Sequence, residues 1–454
     1  MPIDINDLNH IQPEATFYMP EGFLWGTATS SHQVEGGNNN NNWSLWENND
    51  GHILNGDRSG DACQWWQGRW AEDFDRASES SQNAHRLSIE WSRVQPAIDQ
   101  WDMEALAYYR EMLKGLCDRG MTPMVTLHHF SDPIWLYKNG GWEWDKAPQV
   151  FEAYVRRVVE ALKDYVSLWV PINEPNVYVY MGYMDSNFPP AKPGMAFAFN
   201  VMENMLKAHA AAYRAIHEIQ KEARVGSCIN YRAFWPKRPW LPLDKWMAGT
   251  LSHNYNDAFI GAIQNGQLQF LLRKSSLPQV KDTQDFVGIN YYTGDRIAFN
   301  PFMVKAFFHT REFPQGQELS ETGFLANVPD GLFKALKWAS RFGLPIMVTE
   351  NGIEDSQDSL RPQYIVEHLQ QLWRASNYNW QIKGYFHWSL VDNFEWDRGW
   401  TQRFGLWGLD IETQERIRRP SVDLYAAICK QNGLSTRLVE QYAPQVFERL
   451  YPVE

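Results

Sequence analysis

The sequence predicts an α/β fold, a single (β/α)8 barrel spanning residues 1–454, and three observations carry that prediction. Eight short apolar or β-branched runs recur along the chain, apolar enough to be buried on both faces as parallel strands are. Stretches with a 3.6-residue apolar period fill most of the intervals, which is the strand–helix alternation of a barrel. Polar and aromatic groups gather at the C-terminal ends of the runs: His129, Asn173, Glu174, Asn230, Asn290, Tyr292, Glu350 and Trp388. A barrel with only a structural role has no reason to load one end of so many strands.

The elements follow in chain order. FLWGTAT (23–29) and HRLSIEW (85–91) are the first two strands. GGNNNNNW (36–43) between them reads as a low-complexity loop at the barrel rim. Ala105, Leu106, Tyr109, Met112, Leu113, Leu116 and Cys117 form one helical stripe, and Gly120 stands where a C-cap glycine ends a helix. PMVTLHHF (123–130) is the third strand. A second stripe runs through Val150, Phe151, Tyr154, Val155, Val158, Val159, Leu162, Tyr165 and Val166 to the fourth, LWVPINEP (168–175). ARVGSCINY (223–231) is the fifth. Residues 232–282 read as helical with a poorly defined loop, and FVGINYYT (286–293) is the sixth strand. Residues 296–329 show neither period and read as a long loop over the site. PIMVTENG (345–352) and KGYFHWSL (383–390) close the set.

Composition narrows the function classes. The 454 residues are 44% hydrophobic, enough for a large core, and barrels routinely exceed the length of one average domain. A formal net charge of -12 argues against nucleic acid and anionic membrane surfaces as partners. Cys63, Cys117, Cys228 and Cys429 have neither metal-ligand nor disulfide-framework spacing, so reduced core thiols are expected. The opening MPIDINDLNH has no basic and apolar leader pattern, and no apolar run reaches the roughly 20 residues of a membrane helix. A cytoplasmic protein is the expectation, with homo-oligomerisation left open. The 22 tryptophans mostly fill core, and a few are candidates for platforms under a sugar ring.

Two strings carry the chemistry. INEP (172–175) and VTENG (348–352) each place one carboxylate, Glu174 or Glu350, after a run of β-forming residues with an asparagine beside it. A strand end is a rigid mount, and two such carboxylates can divide the work of acid and nucleophile that breaks a glycosidic bond. His128 and His129 are adjacent on one strand, so their rings point to opposite faces and cannot readily chelate one ion. No metal and no cofactor is expected, since acid, nucleophile and water suffice. A Schiff-base barrel enzyme would want a lysine at a strand end, and none of the eight runs ends in one.

From about residue 17 to about residue 430 the chain resembles glycoside hydrolase family 1, the retaining β-glucosidases and β-galactosidases. GFLWGTATSSHQVEG (22–36) resembles that family's N-terminal signature, which makes Gln33 a ligand of sugar hydroxyls. TLHHFSDPIWL (126–136) resembles its next segment, with His129 as the sugar-binding histidine. The resemblance makes Glu174 the acid/base, Asn173 the ligand of the 2-hydroxyl and Glu350 the nucleophile. Tyr292 of GINYYT and Arg86 of HRLSIEWSR would then flank Glu350 and keep it charged, so that Glu174 holds its proton. GYFHWSLVDNFEW (384–396) resembles the C-terminal sugar-binding segment: Trp388 the floor, Glu395 on the 4- and 6-hydroxyls, Trp396 on the 3-hydroxyl. Phe404 of QRFGL would close the far end. A charged Glu395 would repel a 6-phosphate, and the phosphate-binding Ser…Lys…Tyr set of the phospho-β-glycosidase branch is not found.

Two positions depart from the family's pattern. Pro171 stands where a threonine is common, and a proline inside a barrel strand removes a ladder donor. Phe324 or Leu325 of GFLANVPDGL (323–332) stands where many members carry an aglycone-side tryptophan. The resemblance implies a retaining exo-β-glycosidase acting on small β-glycosides or oligosaccharides, with glucosides, galactosides and fucosides as substrates. A transglycosylase would use the same glycosyl-enzyme, and a non-catalytic glycan-binding barrel would have lost Glu174 or Glu350.

Overall fold

The computed structural model describes residues 15–451. The reading of MPIDINDLNH lies outside them. Eight parallel strands close a barrel: β1 (Leu24–Ala28), β2 (Ala84–Ser88), β3 (Thr122–His128), β4 (Leu168–Ile172), β5 (Arg224–Asn230), β6 (Phe286–Tyr291), β7 (Ile346–Asn351) and β8 (Ile382–Trp388). Each pairs with its chain neighbours, and β8 closes on β1 through Gly384↔Leu24 to Trp388↔Ala28. All eight predicted runs are therefore barrel strands. The period of two along each strand sorts the core. Met124, Val170, Phe286, Met347 and Phe386 form one cluster inside the barrel, while Val125, Trp169, Val287, Val348 and Tyr385 join the larger cluster under the helices.

Helices α1 (Trp70–Glu79), α2 (Met103–Asp118), α3 (Ala147–Leu162), α4 (Pro175–Tyr183) and α5 (Met195–Ile219) cover the first half. Asp102 caps α2 by accepting from the Ala105 amide at 2.9 Å, and Gly120 beyond its end has φ +75°. Helix α3 stops at Leu162, so Tyr165 and Val166 of its predicted stripe lie in the connection to β4. The asparagine run is not featureless. Asn41 caps the short helix Asn42–Glu47 in a reciprocal pair with Ser44, and Asn38, Asn41 and Asn42 are buried.

Two segments differ from expectation. Residues 232–282 hold the helices α6 (Pro242–Ser252) and α7 (Ala258–Asn265), but also the strand Ala233–Pro236, a π turn over His253–Asp257 and the hairpin 267–276. Residues 296–329 are not one loop. Gly294–Phe299 runs parallel to Ala233–Pro236, and His309–Glu312 returns antiparallel to complete a three-stranded sheet. These strands are short, and the parallel pairing joins segments some sixty residues apart, so no local period announces the sheet.

Helices α8 (Pro329–Ser340), α9 (Arg361–Ser376) and α10 (Pro420–Gln431) complete the outer layer. The strand Thr16–Tyr18 pairs with Gly433–Ser435, and the Asn432 side chain binds both Trp25 and the Met19 carbonyl. Cys63, Cys228 and Cys429 are buried and Cys117 half-buried, all as free thiols. No helix among the described residues is long and apolar enough to cross a membrane.

Candidate active site

Two local irregularities aim the carboxylates. Pro171 cannot donate to the β4–β5 ladder, and the register slips there by one residue: Trp169 pairs with Val225, but Asn173 bridges to Cys228. Glu174 then takes a left-handed turn (φ 43°, ψ 57°) directly before α4. Consecutive strand residues face opposite ways; the turn lets Asn173 and Glu174 serve the same cleft. On β7 the extra residue is Thr349, since Ile289 pairs with Val348 and Asn290 with Glu350. A regular strand would put Glu350 on the outward face of Val348. The bulge turns it inward, and Thr349 donates to Asn290 Oδ1 at 2.6 Å.

The two glutamates have unlike neighbours. Glu350 accepts from Arg86 Nη1 at 2.6 Å and from the Tyr292 hydroxyl at 2.6 Å. Arg86 is wholly buried and also donates to Asn173 Oδ1 at 2.5 Å. Glu174 touches no cation; its Oε1 accepts from the amides of Asn230 and Asn290, each at 2.9 Å. Burial, then the nearby Glu350 charge, pushes the Glu174 carboxyl up to about 8. Burial pushes Glu350 upward as well, against the pull of Arg86 and Tyr292. Among the described residues the one direct cation sits on Glu350, and it favours the ionised form there over that of Glu174.

Eight of the predicted residues line one open cleft of about 930 Å3: His129, Glu174, Tyr292, Glu350, Trp388, Glu395, Trp396 and Phe404. Trp388 and Trp396 each stack near His129, with ring centroids 6.0 Å apart. Burial holds His129 neutral, and its Nε2 accepts from the Asn173 amide at 3.1 Å, leaving Nδ1 without a protein partner. His128 faces the other way and bonds Asp132 at 2.9 Å. Arg86, Asn173 and Gln33 stand one layer back. The Gln33 amide donates to the Phe394 carbonyl at 2.8 Å and to Glu395 at 3.3 Å, and its carbonyl accepts from Ser30.

The Glu395 carboxyl is pushed up to about 8 by burial, then by Asp397 and the two glutamates. These neighbours disfavour the carboxylate form that was expected to repel a 6-phosphate. Among the described residues no group of three or more His, Cys, Asp or Glu is placed to hold a metal.

Phe324 and Leu325 both line the cleft, and Arg398 packs over Phe324 at 5.0 Å. An outer chamber shares Arg232, Phe324 and Arg398 with the cleft and continues past Arg311 and Phe313. Sequence reasoning marked Asn230 and Asn290 as polar strand ends but assigned neither to Glu174, because that needs the register across β4, β5 and β6. It missed Tyr255, whose hydroxyl donates to Asn230 at 3.1 Å from the π turn, and no motif surrounds that residue.

Comparison with known proteins bears on the family and the fold. Residues 15–434 match the family model described as glycosyl hydrolase family 1. β-Glucosidase A of Thermotoga maritima is 32% identical, covering 91% of this chain and 98% of its own. A β-galactosidase of Pyrococcus woesei is 30% identical over 93% and 99%. The solved β-glycosidase of Pyrococcus horikoshii superposes with a TM-score of 0.88 at 36% identity, covering 94% of this chain and 98% of that one.

Proposed function

Because the chain belongs to glycosyl hydrolase family 1, we propose that it is a retaining exo-β-glycosidase that releases β-D-glucose, and also β-galactose and β-fucose, from non-reducing ends. The observation that carries the reading is the asymmetry of the two buried carboxyls, one bound to a cation and a phenol, the other to two amides. Relatives named as a β-glucosidase and a β-galactosidase support both sugars.

In the proposed cycle Glu350, ionised against Arg86, attacks the anomeric carbon while Glu174 gives its proton to the leaving oxygen. Esterification removes the Glu350 charge. With that charge gone Glu174 remains the carboxylate its proton transfer left, and it deprotonates the incoming water as the water displaces Glu350 from the anomeric carbon. Asn173, fixed by Arg86, Asn290 and His129, is placed to meet the 2-hydroxyl. Trp388 forms the floor, Glu395 and Trp396 receive the outer hydroxyls, and Phe404 closes the end. Gln33, whose amide donates to Glu395, binds sugar hydroxyls beside it. Hydrolysis of p-nitrophenyl β-glucoside followed by NMR tests the stereochemistry: the β-anomer must appear first, and an α-anomer would overturn Glu350 as nucleophile.

Two further outcomes check the assignments. kcat/KM is expected to fall above about pH 8, as rising pH strips the acid proton from Glu174, and on the acid side as Glu350 protonates. Measured with p-nitrophenyl glucoside, whose departure still draws on the proton, the alkaline limb should vanish in Glu174→Ala and persist in Glu395→Gln; the reverse pattern reassigns the acid. Glu395→Gln should lower kcat/KM for glucosides about tenfold to a hundredfold, the cost of mismatched hydrogen bonds to two hydroxyls. An unchanged value removes Glu395 from the sugar site.

A further inference from the structure

A cluster of large apolar side chains stands exposed where a water-facing surface would bury them. Phe302 is 90% exposed, Trp240 77%, Val304 63% and Trp246 58%, with Phe307 and Phe308 also exposed. Contiguous apolar exposure of this kind marks an interaction surface. These residues share one end of the small sheet. Ala233–Pro236 and Gly294–Phe299 run parallel, so the segments that leave them, 237–241 and 300–308, emerge together. Asp244 ties the two by accepting from Arg238 and from the Phe299 amide at 2.9 Å, and Asn300 closes the tip by donating to the Phe308 carbonyl at 2.8 Å. The two strands follow β5 and β6 beyond their C-terminal ends, so the cluster projects on the cleft's side of the barrel. The returning strand leads into Arg311 and Phe313 at the outer chamber.

Charge selects the occupant. Residues 232–246 and 294–313 carry seven Lys and Arg against three Asp and Glu, in a chain whose net charge is -12. The three acids are spent on ion pairs with Arg232, Lys237 and Arg238, which leaves an excess of cations on the segments beside the aromatic tip, the composition of an interfacial anchor. Pairing two copies about this surface would set like-charged segments face to face. We propose that this surface docks the protein on an anionic lipid bilayer, with the cleft mouth turned toward the membrane plane. The global acidity that argues against such a partner is overcome locally, because charges beyond a Debye length of about 8–10 Å are screened.

Sedimentation with vesicles tests it. The full chain is expected to co-sediment with phosphatidylglycerol–phosphatidylcholine vesicles at low salt, and far less with phosphatidylcholine alone. The triple variant Phe302→Ser, Phe307→Ser, Phe308→Ser should lose binding by about tenfold or more while turning over a soluble nitrophenyl glucoside as the parent does. Leu272→Ser, which removes an equally exposed side chain from the hairpin 267–276, should bind like the parent. Absence of parental binding to anionic vesicles overturns the proposal, as does undiminished binding by the triple variant or equal loss in Leu272→Ser. Parental self-association that the triple variant abolishes would assign the surface to a second copy and overturn it too. Binding is read independently of turnover, so a failed glycosidase assignment leaves the vesicle result standing.

Discussion

Glu350→Gln should lose turnover on the order of 10⁵-fold, the scale seen when a covalent nucleophile is removed, and should keep its fold. The choice of glutamine follows from Arg86. That guanidinium is buried and spends one nitrogen on Glu350 and another on Asn173. Both variants lose the carboxylate, but glutamine keeps an amide oxygen for Arg86 to donate to, whereas Glu350→Ala leaves that buried donor short of a partner, which costs about 1–3 kcal/mol more. The alanine variant should therefore unfold at a lower temperature than the glutamine variant, although both lack the nucleophile. Calorimetry on the pair separates the two losses. Near-parental kcat in Glu350→Gln on an aryl β-glucoside would show that the nucleophile lies elsewhere.

The second large effect is selective. Glu174→Ala should reduce kcat/KM on cellobiose on the order of 10³-fold and on a dinitrophenyl glucoside far less in the first, glycosyl-transfer step, because a good leaving group departs without a proton. A steeper dependence on leaving-group pKa is the signature to measure. Equal loss on both substrates would count against Glu174 as the acid. Little structural cost is expected, since Glu174 is held by two amides rather than by a buried cation, and its left-handed turn already costs about 1–2 kcal/mol.

The eight strands were legible because each is a continuous apolar run, and the two glutamates because each follows such a run. The facing of Glu350 was not. A period of two places it with Val348 on the outer surface, and only the pairing with β6 reveals the extra residue at Thr349. Pro171 could be read as a disturbance, but its consequence, a one-residue slip against β5, depends on a partner strand some fifty residues away. The sheet 233–236/294–299/309–312 escaped notice for the same reason. The state of Glu395 is collective: burial and three other carboxyls set it, and no string of residues records that sum. Motif and period are local quantities, while register and charge coupling belong to the closed barrel.

Closure has a bearing on how the chain is made. The first strand, Leu24–Ala28, finds β2 early, but its other neighbour is Ile382–Trp388, the last of the eight to leave the ribosome. At about 5–20 residues per second, the N-terminal edge waits tens of seconds for its partner. Until then the strands already made cannot close into a cylinder, and Leu24–Ala28 has one neighbour missing. The nascent protein can acquire its strands one by one from the front, yet the cavity between Glu174 and Glu350 takes shape only when the last of them arrives.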